Sequence, residues 1–194
     1  MRTAGYPTQL QFHDLAAHFL SLNPGDRFLR FGWAITDWQI VAYLEALFAV
    51  RDGVFVVVEP DQDISGVLHL EPMGCGVTVG LSVSAWARTM GIGTLLLRQA
   101  GEEARARGLK TLFVRNLNLN SGLRRLARRL GMSVACGPSG LETRLEAQAA
   151  NRKRAHSDTF GGEITLADDS LLSMQPKATS AQIKSGQLLN VLSE

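Results

Sequence analysis

Arg88-Thr-Met-Gly-Ile-Gly93 is the stretch whose residue types and spacing are best suited to chemistry. Its two glycines would let a ligand come close to the backbone. If a helix starts here, its first N–H groups lack intrahelical acceptors and its dipole presents positive charge. Such an end takes an anion, commonly a pyrophosphate. Arg88 and Thr94 stand beside the turn as side-chain donors to the same anion. No Gly-Lys-Ser/Thr follows, so this is not a P-loop, and no third glycine completes a dinucleotide fingerprint. A plain strand-to-helix junction is the competing interpretation of these few residues.

The flanking elements support the helix start. Val77, Val79, Leu81 and Val83 alternate with small or polar residues, the period of a half-buried strand. From Gly91 to Arg107, Ile92, Leu95, Leu96, Ala100 and Ala104 fall on one helical face. The chain therefore passes strand, glycine turn, helix, and Gly108 ends that helix.

The remaining elements are read in the same way. Residues 1–8 allow a short edge strand, and 9–22 carry a helical stripe through Leu15 and Phe19. Asn23-Pro-Gly25 is read as a turn, and Asp26 to Gly32 as a connector burying Phe28 and Phe31. Thr36 or Asp37 caps a helix striped by Ile40, Val41, Tyr43, Leu44 and Leu47. Val54–Val58 is a strand buried on both faces, followed by a strand from Ile64 to Glu71 and a hairpin loop at 72–76. Thr111–Arg115 is a short strand, and Leu119, Leu123, Leu126, Ala127 and Leu130 stripe a further helix. Strands at Met132–Cys136 and Leu141–Leu145 close the fold. The expected class is α/β, with a mixed, mostly antiparallel sheet and a parallel βαβ crossover over 77–115.

Composition narrows the function. A net charge of +2 provides no global basic field, so no nucleic acid is expected. Cys75 and Cys136 do not make a disulfide framework. No signal core or 18-residue apolar run occurs, so a cytoplasmic protein away from membranes, monomer or homodimer, is expected. After Ala147 polar residues dominate, and 147–194 reads as a flexible tail, with 180–192 able to form a short docking helix. Arg152-Lys-Arg154 reads as a solvated linker.

Arg88-x-x-Gly91-x-Gly93 resembles the acyl-CoA-binding motif of the GNAT superfamily of N-acetyltransferases. The order of elements from about residue 9 to 146 is similar to that fold. So is Asn120 ahead of Leu126-Ala-Arg-Arg-Leu-Gly-Met132, and the 26–32 segment resembles one bacterial branch. The resemblance implies a GNAT-like domain over 1–146 that uses acetyl-CoA as co-substrate and an amine of a small molecule or protein as acceptor. It implies that Leu81, Val83, Arg88, Met90, Gly91, Ile92, Gly93, Thr94 and Asn120 hold acetyl-CoA, the Val83 N–H meeting the pantetheine or acetyl oxygen. Asn120 serves equally as a helix N-cap.

Two family groups are missing. The position of the family's frequent Glu base is Thr78, and that of its frequent Tyr acid is Ala127. A hairpin turning about Met73-Gly74 puts His69 opposite Thr78, and opposite residues share a face about 5 Å apart. His69 is thus a candidate base suited to neutral pH, Glu71 a second candidate on the same face, and a packed sheet histidine the alternative. Arg124, Arg125, Arg128 and Arg129 form a solvated face or meet the 3′-phosphate of CoA. The competing function is a weakly active or inactive acyl-CoA-binding sensor or interaction domain.

Overall fold

The structure, a computed structural model, describes residues 3–8, 11–50, 53–61, 63–73, 76–136 and 164–174. Three helices come first: α1 (Phe12–Leu20), α2 (Pro24–Phe31) and α3 (Asp37–Val50). Strands β1 (Val54–Val58), β2 (Ile64–Met73) and β3 (Gly76–Val83) follow. Then come α4 (Ile92–Ala106), β4 (Thr111–Val114), α5 (Ser121–Arg129), β5 (Ser133–Ala135) and β6 (Thr165–Asp168). The six strands form one sheet in the order β1-β2-β3-β4-β6-β5. β1, β2 and β3 are antiparallel, and β3 and β4 are parallel across the α4 crossover. Gly5 bridges Val56, so the expected N-terminal edge is reduced to one bridge.

Alternation in the strands divides the core. Leu68, Leu70, Val77 and Val79 pack with α4 and α5, whereas Val54, Val56 and Val67 pack with α1, α2 and α3. β1 buries side chains on both faces, as its unbroken apolar run implies. Gly66 lets α4 settle on the sheet, because a Cβ there would collide with Ile92 and Leu96.

Four expectations are corrected. Residues 24–31 are a helix, not a connector: Asn23 Oδ1 accepts from Asp26 N at 2.9 Å and Pro24 takes the first helical position, so the turn signal is a helix start. Phe31 is buried on it, but Phe28 is 38% exposed. The Leu123–Leu130 stripe is helical, but Leu119 precedes the N-cap and is exposed. The β2–β3 register also differs from the expected one. Met73 pairs with Gly76, His69 with Gly80 and Glu71 with Thr78. Only residues 74 and 75 intervene, so the hairpin turns one residue later than expected, and each pairing shifts by two. An even shift keeps His69 on the face of Thr78.

The fourth correction concerns the boundary at residue 146. β6 lies beyond it, yet pairs in parallel with both β4 and β5. Ile164 and Leu166 are fully buried and Ala167 nearly so, so this short apolar run belongs to the core. Leu141–Leu145, the Arg152-Lys-Arg154 run and 180–192 lie outside the described residues.

Candidate functional site

The sheet opens between β3 and β4. Only Val77↔Leu112 and Thr78↔Phe113 pair, although β3 continues to Val83. The unpaired end of β3 faces the first turn of α4 across a cavity of about 500 Å³, lined by Leu81, Ser82, Val83, Arg88, Gly91–Thr94 and Asn120. Gly91 caps α4 at φ 85 with no side-chain acceptor, so the first N–H groups of α4 keep their capacity for a ligand. A Cβ on Gly91 would meet nothing within 4 Å, so glycine is required there by its backbone angle rather than by crowding.

Not every expected donor-side residue contributes alike. Ile92 is buried in the core and can offer only its backbone. Met90 is 44% exposed and does not line the cavity. Arg88 Nη2 donates to Asp26 Oδ2 at 2.5 Å, so a carboxylate already occupies the expected anion ligand. Asn120 Oδ1 accepts from Leu123 N at 3.0 Å, which makes it the N-cap of α5 as well as a wall residue. Of the four α5 arginines only Arg129 lines this cavity.

A second cavity, of about 690 Å³, lies beside the first. His69, Glu71, Thr78 and Gly80 reach it from the sheet, Arg30, Trp33 and Tyr43 from α2, the loop after it and α3, and Arg115 from the end of β4. Arg30 lines both cavities. Its Nη2 donates to the Tyr43 hydroxyl at 2.8 Å. That hydroxyl lies 2.9 Å from His69 Nδ1 and, having accepted from Arg30, donates to it. His69 is therefore neutral, with its remaining proton on Nε2. Burial, then the charges of Arg30 and Arg115, lower its pKa from 6.5 to about 4. Glu71 is exposed at the cavity rim.

A third buried group braces the end of β3. His18 on α1 lies 2.8 Å from Ser82 Oγ through Nε2 and 2.9 Å from Ser84 Oγ through Nδ1. Ser84 Oγ donates to Ile64 O, so Nδ1–H donates to Ser84 and Nε2 accepts from Ser82. Burial lowers the His18 pKa to about 4, against a smaller opposing pull from the Ile64 carbonyl. Among the described residues no group of three or more His, Cys, Asp or Glu could hold a metal ion, and no helix is long and apolar enough to cross a membrane.

The sequence profile of the acetyltransferase (GNAT) family matches residues 12–132, more than half of the chain. The chain belongs to the GNAT acetyltransferase family. No protein of curated function is similar to it in sequence. Among solved structures it is similar to a GNAT-family acetyltransferase from Staphylococcus aureus, at 17% identity and TM-score 0.46, over 57% of this chain and 70% of that one. A GNAT-family protein from Bordetella pertussis is 18% identical with TM-score 0.48, over 66% of this chain and 83% of that one. An acetyltransferase from Colwellia psychrerythraea is 13% identical with TM-score 0.43, over 56% of this chain and only 38% of that longer one.

Within this GNAT domain, the two expected catalytic candidates, His69 and Glu71, line one cavity and the expected cofactor set, Met90 excepted, lines the other. Thr78 and Ala127, at the family's Glu and Tyr positions, are both buried. Sequence reasoning missed Arg30, Tyr43, Trp33 and Arg115. Tyr43 was assigned to a helical stripe, which is correct, but nothing in the stripe marks its hydroxyl as meeting His69. Nothing in the residues around Arg30 marks it as buried, because its helical neighbours at i−4 and i−3 are Asp26 and Arg27.

Proposed function

We propose that the chain is an acetyl-CoA-dependent N-acetyltransferase acting on an amine. The observation that carries this reading is the pair of adjoining cavities that share Arg30 at the open seam of the sheet. One suits a pyrophosphate-bearing donor and the other an acceptor. Gly91, Ile92, Gly93 and Thr94 would hold the pyrophosphate through the start of α4, and Leu81–Val83 would run beside the pantetheine. The amine nitrogen attacks the thioester carbonyl, a C–N bond forms and the C–S bond breaks. One proton leaves nitrogen and one reaches the departing thiolate, so the products are an N-acetyl amine and free CoA thiol. Tyr43 and His69 suit the first transfer: the phenol oxygen takes the amine proton while its own proton passes to Nδ1. At its lowered pKa His69 is a relay rather than a store of protons. Release of thiol from acetyl-CoA over a panel of amines tests the reading, and amine-independent or absent release would reject it.

A second reading is an acyl-CoA-binding sensor or interaction domain. It is favoured by Thr78 and Ala127, which leave the family's Glu and Tyr positions without an ionisable group. Tight acetyl-CoA binding without thiol release would select it.

A further inference from the structure

Arg30 is an anomalous charge among the described residues. It is 5% exposed, yet among the described residues no carboxylate lies within ion-pair reach of it and its Nε has no hydrogen-bond partner. Its compensation is soft. The guanidinium carbon lies 4.9 Å from the Phe31 ring centre, 5.5 Å from Phe19 and 5.6 Å from Tyr43. Such contacts attract a cation but do not replace a counter-ion. The guanidinium also rests on β3 where Gly80 stands, since any Cβ there would collide with it. Gly80 thus makes room for a charge that no carboxylate among the described residues pairs.

A second guanidinium faces the same cavity. Arg115 lies 5.8 Å from the Trp33 ring centre and reaches Asp169 only at 3.8 Å. The charges of both arginines are felt at His69. The acidic side chain on the cavity wall is Glu71, at the exposed rim.

We propose that the acceptor is an α-amino carboxylate, its carboxylate held by Arg30 and Arg115. This rests on the acyl-transfer reading. Planar guanidinium groups match a carboxylate in a way that an ammonium or amide does not. The position of Arg30 sets the distance between the two functional groups. It stands on the wall common to both cavities, so a carboxylate bound to it brings an amine one carbon away up to the donor side. The acceptor's side group then lies along the apolar wall of Trp33, Ala46 and Leu47.

The test uses the full chain and two matched sets of probes. Binding is measured by calorimetry with N-acetyl-leucine, N-acetyl-methionine and N-acetyl-phenylalanine, each against its carboxamide. Turnover is measured with leucine, methionine and phenylalanine against their amides. At least one carboxylate should bind about tenfold or more tighter than its amide twin, a difference of about 1.4 kcal/mol. Arg115→Gln should reduce that ratio and Arg30→Gln should abolish it. The selectivity ratio is the readout, because a merely structural loss would weaken both members of a pair equally. Arg115 is the safer variant should Arg30→Gln fail to fold. Equal binding of acids and amides, or no binding of any acid at millimolar concentration, would overturn the proposal. Carboxylate-selective binding without thiol release would remove the transferase reading and keep the subsite. Equal acetylation of amides and acids would keep the transferase and remove the subsite.

Discussion

The two cavities that meet at Arg30 are built in different ways. The donor wall is mostly one continuous piece of chain, from Leu81 through the turn to Thr94, completed by residues of α2 and α5. Its key groups are backbone N–H donors, supplied by any helix whose cap leaves them free. The acceptor wall gathers side chains from α2, α3, β2, β3 and the end of β4. A pyrophosphate can be held by local geometry, whereas a particular amine requires side chains brought together by the whole fold. The proposed donor site can therefore be read from spacing, and the proposed acceptor site only from packing.

Four experiments sharpen or break this contrast, in falling order of effect. The largest concerns the buried imidazole behind the end of β3. His18 stays neutral in the folded chain down to pH about 4, while an unfolded imidazole takes its proton near 6.5. The unfolded chain thus binds more protons between these values, so the contribution is complete above pH 6.5 and lost as pH falls toward 4. By pH 4.5 this amounts to about 2–3 kcal/mol at about 1.4 kcal/mol per pKa unit. His18→Gln, which can still accept and donate, should reduce the loss of denaturant stability between pH 7 and 4.5 by about half, because His69 carries a like shift and keeps its own share. An unchanged acid slope would mean that His18 does not titrate as its burial implies.

On the acceptor side, His69→Ala or Tyr43→Phe should lower turnover about 100-fold with acetyl-CoA affinity unchanged, the low end for general acid–base catalysis. Because the wild-type imidazole remains neutral to pH about 4, it should produce no acidic limb near 6.5. A Tyr43→Phe enzyme at full speed would remove the relay. On the donor side, Gly91→Asp should weaken CoA binding about tenfold or more, through a carboxylate where a pyrophosphate belongs and a strained φ. Acceptor-probe binding should not change, and joint loss of both would mean that the cavities are not independent. The smallest effect belongs to Asp26→Asn. It frees Arg88 and removes a negative charge from the donor wall, so acetyl-CoA affinity should rise about two- to fivefold, the scale of a partly exposed ion pair. A fall in affinity would show that Asp26 positions Arg88 rather than competing for it.

The same contrast explains what the sequence revealed. The strand–turn–helix at 77–107 was legible because its periods change from two to 3.6 at a glycine pair. The crossover and the three-stranded antiparallel half were legible for like reasons. α2 was not, because Asn23-Pro24 opens a turn and a helix with the same residues, and only the Asp26 N–H bond to Asn23 decides between them. The hairpin register was missed by one turn position, which moved His69 from Thr78 to Gly80 but left it in the cavity. Tyr43 and Arg30 were invisible as a pair: each fits an amphipathic helix, and their contact depends on how α2 and α3 cross the sheet. β6 was missed because Ile164-Thr-Leu-Ala167 is too short to show a period within a polar stretch.

That last strand bears on how the chain reaches its native state. β6 sits between β4 and β5, so neither of those strands has its final neighbour until the chain has been made as far as Asp168. The antiparallel half and the α4 crossover can collapse earlier, since their contacts lie close in sequence. The inner edge of β4 must then wait, exposed, for a segment 54 residues further on, counting from Val114 to Asp168. Pairings this distant are entropically slow to close and leave an open strand edge in the meantime. A nascent chain halted after Met132 would hold most of the donor cavity and an unfinished sheet, the form most prone to pair with a neighbouring copy of itself.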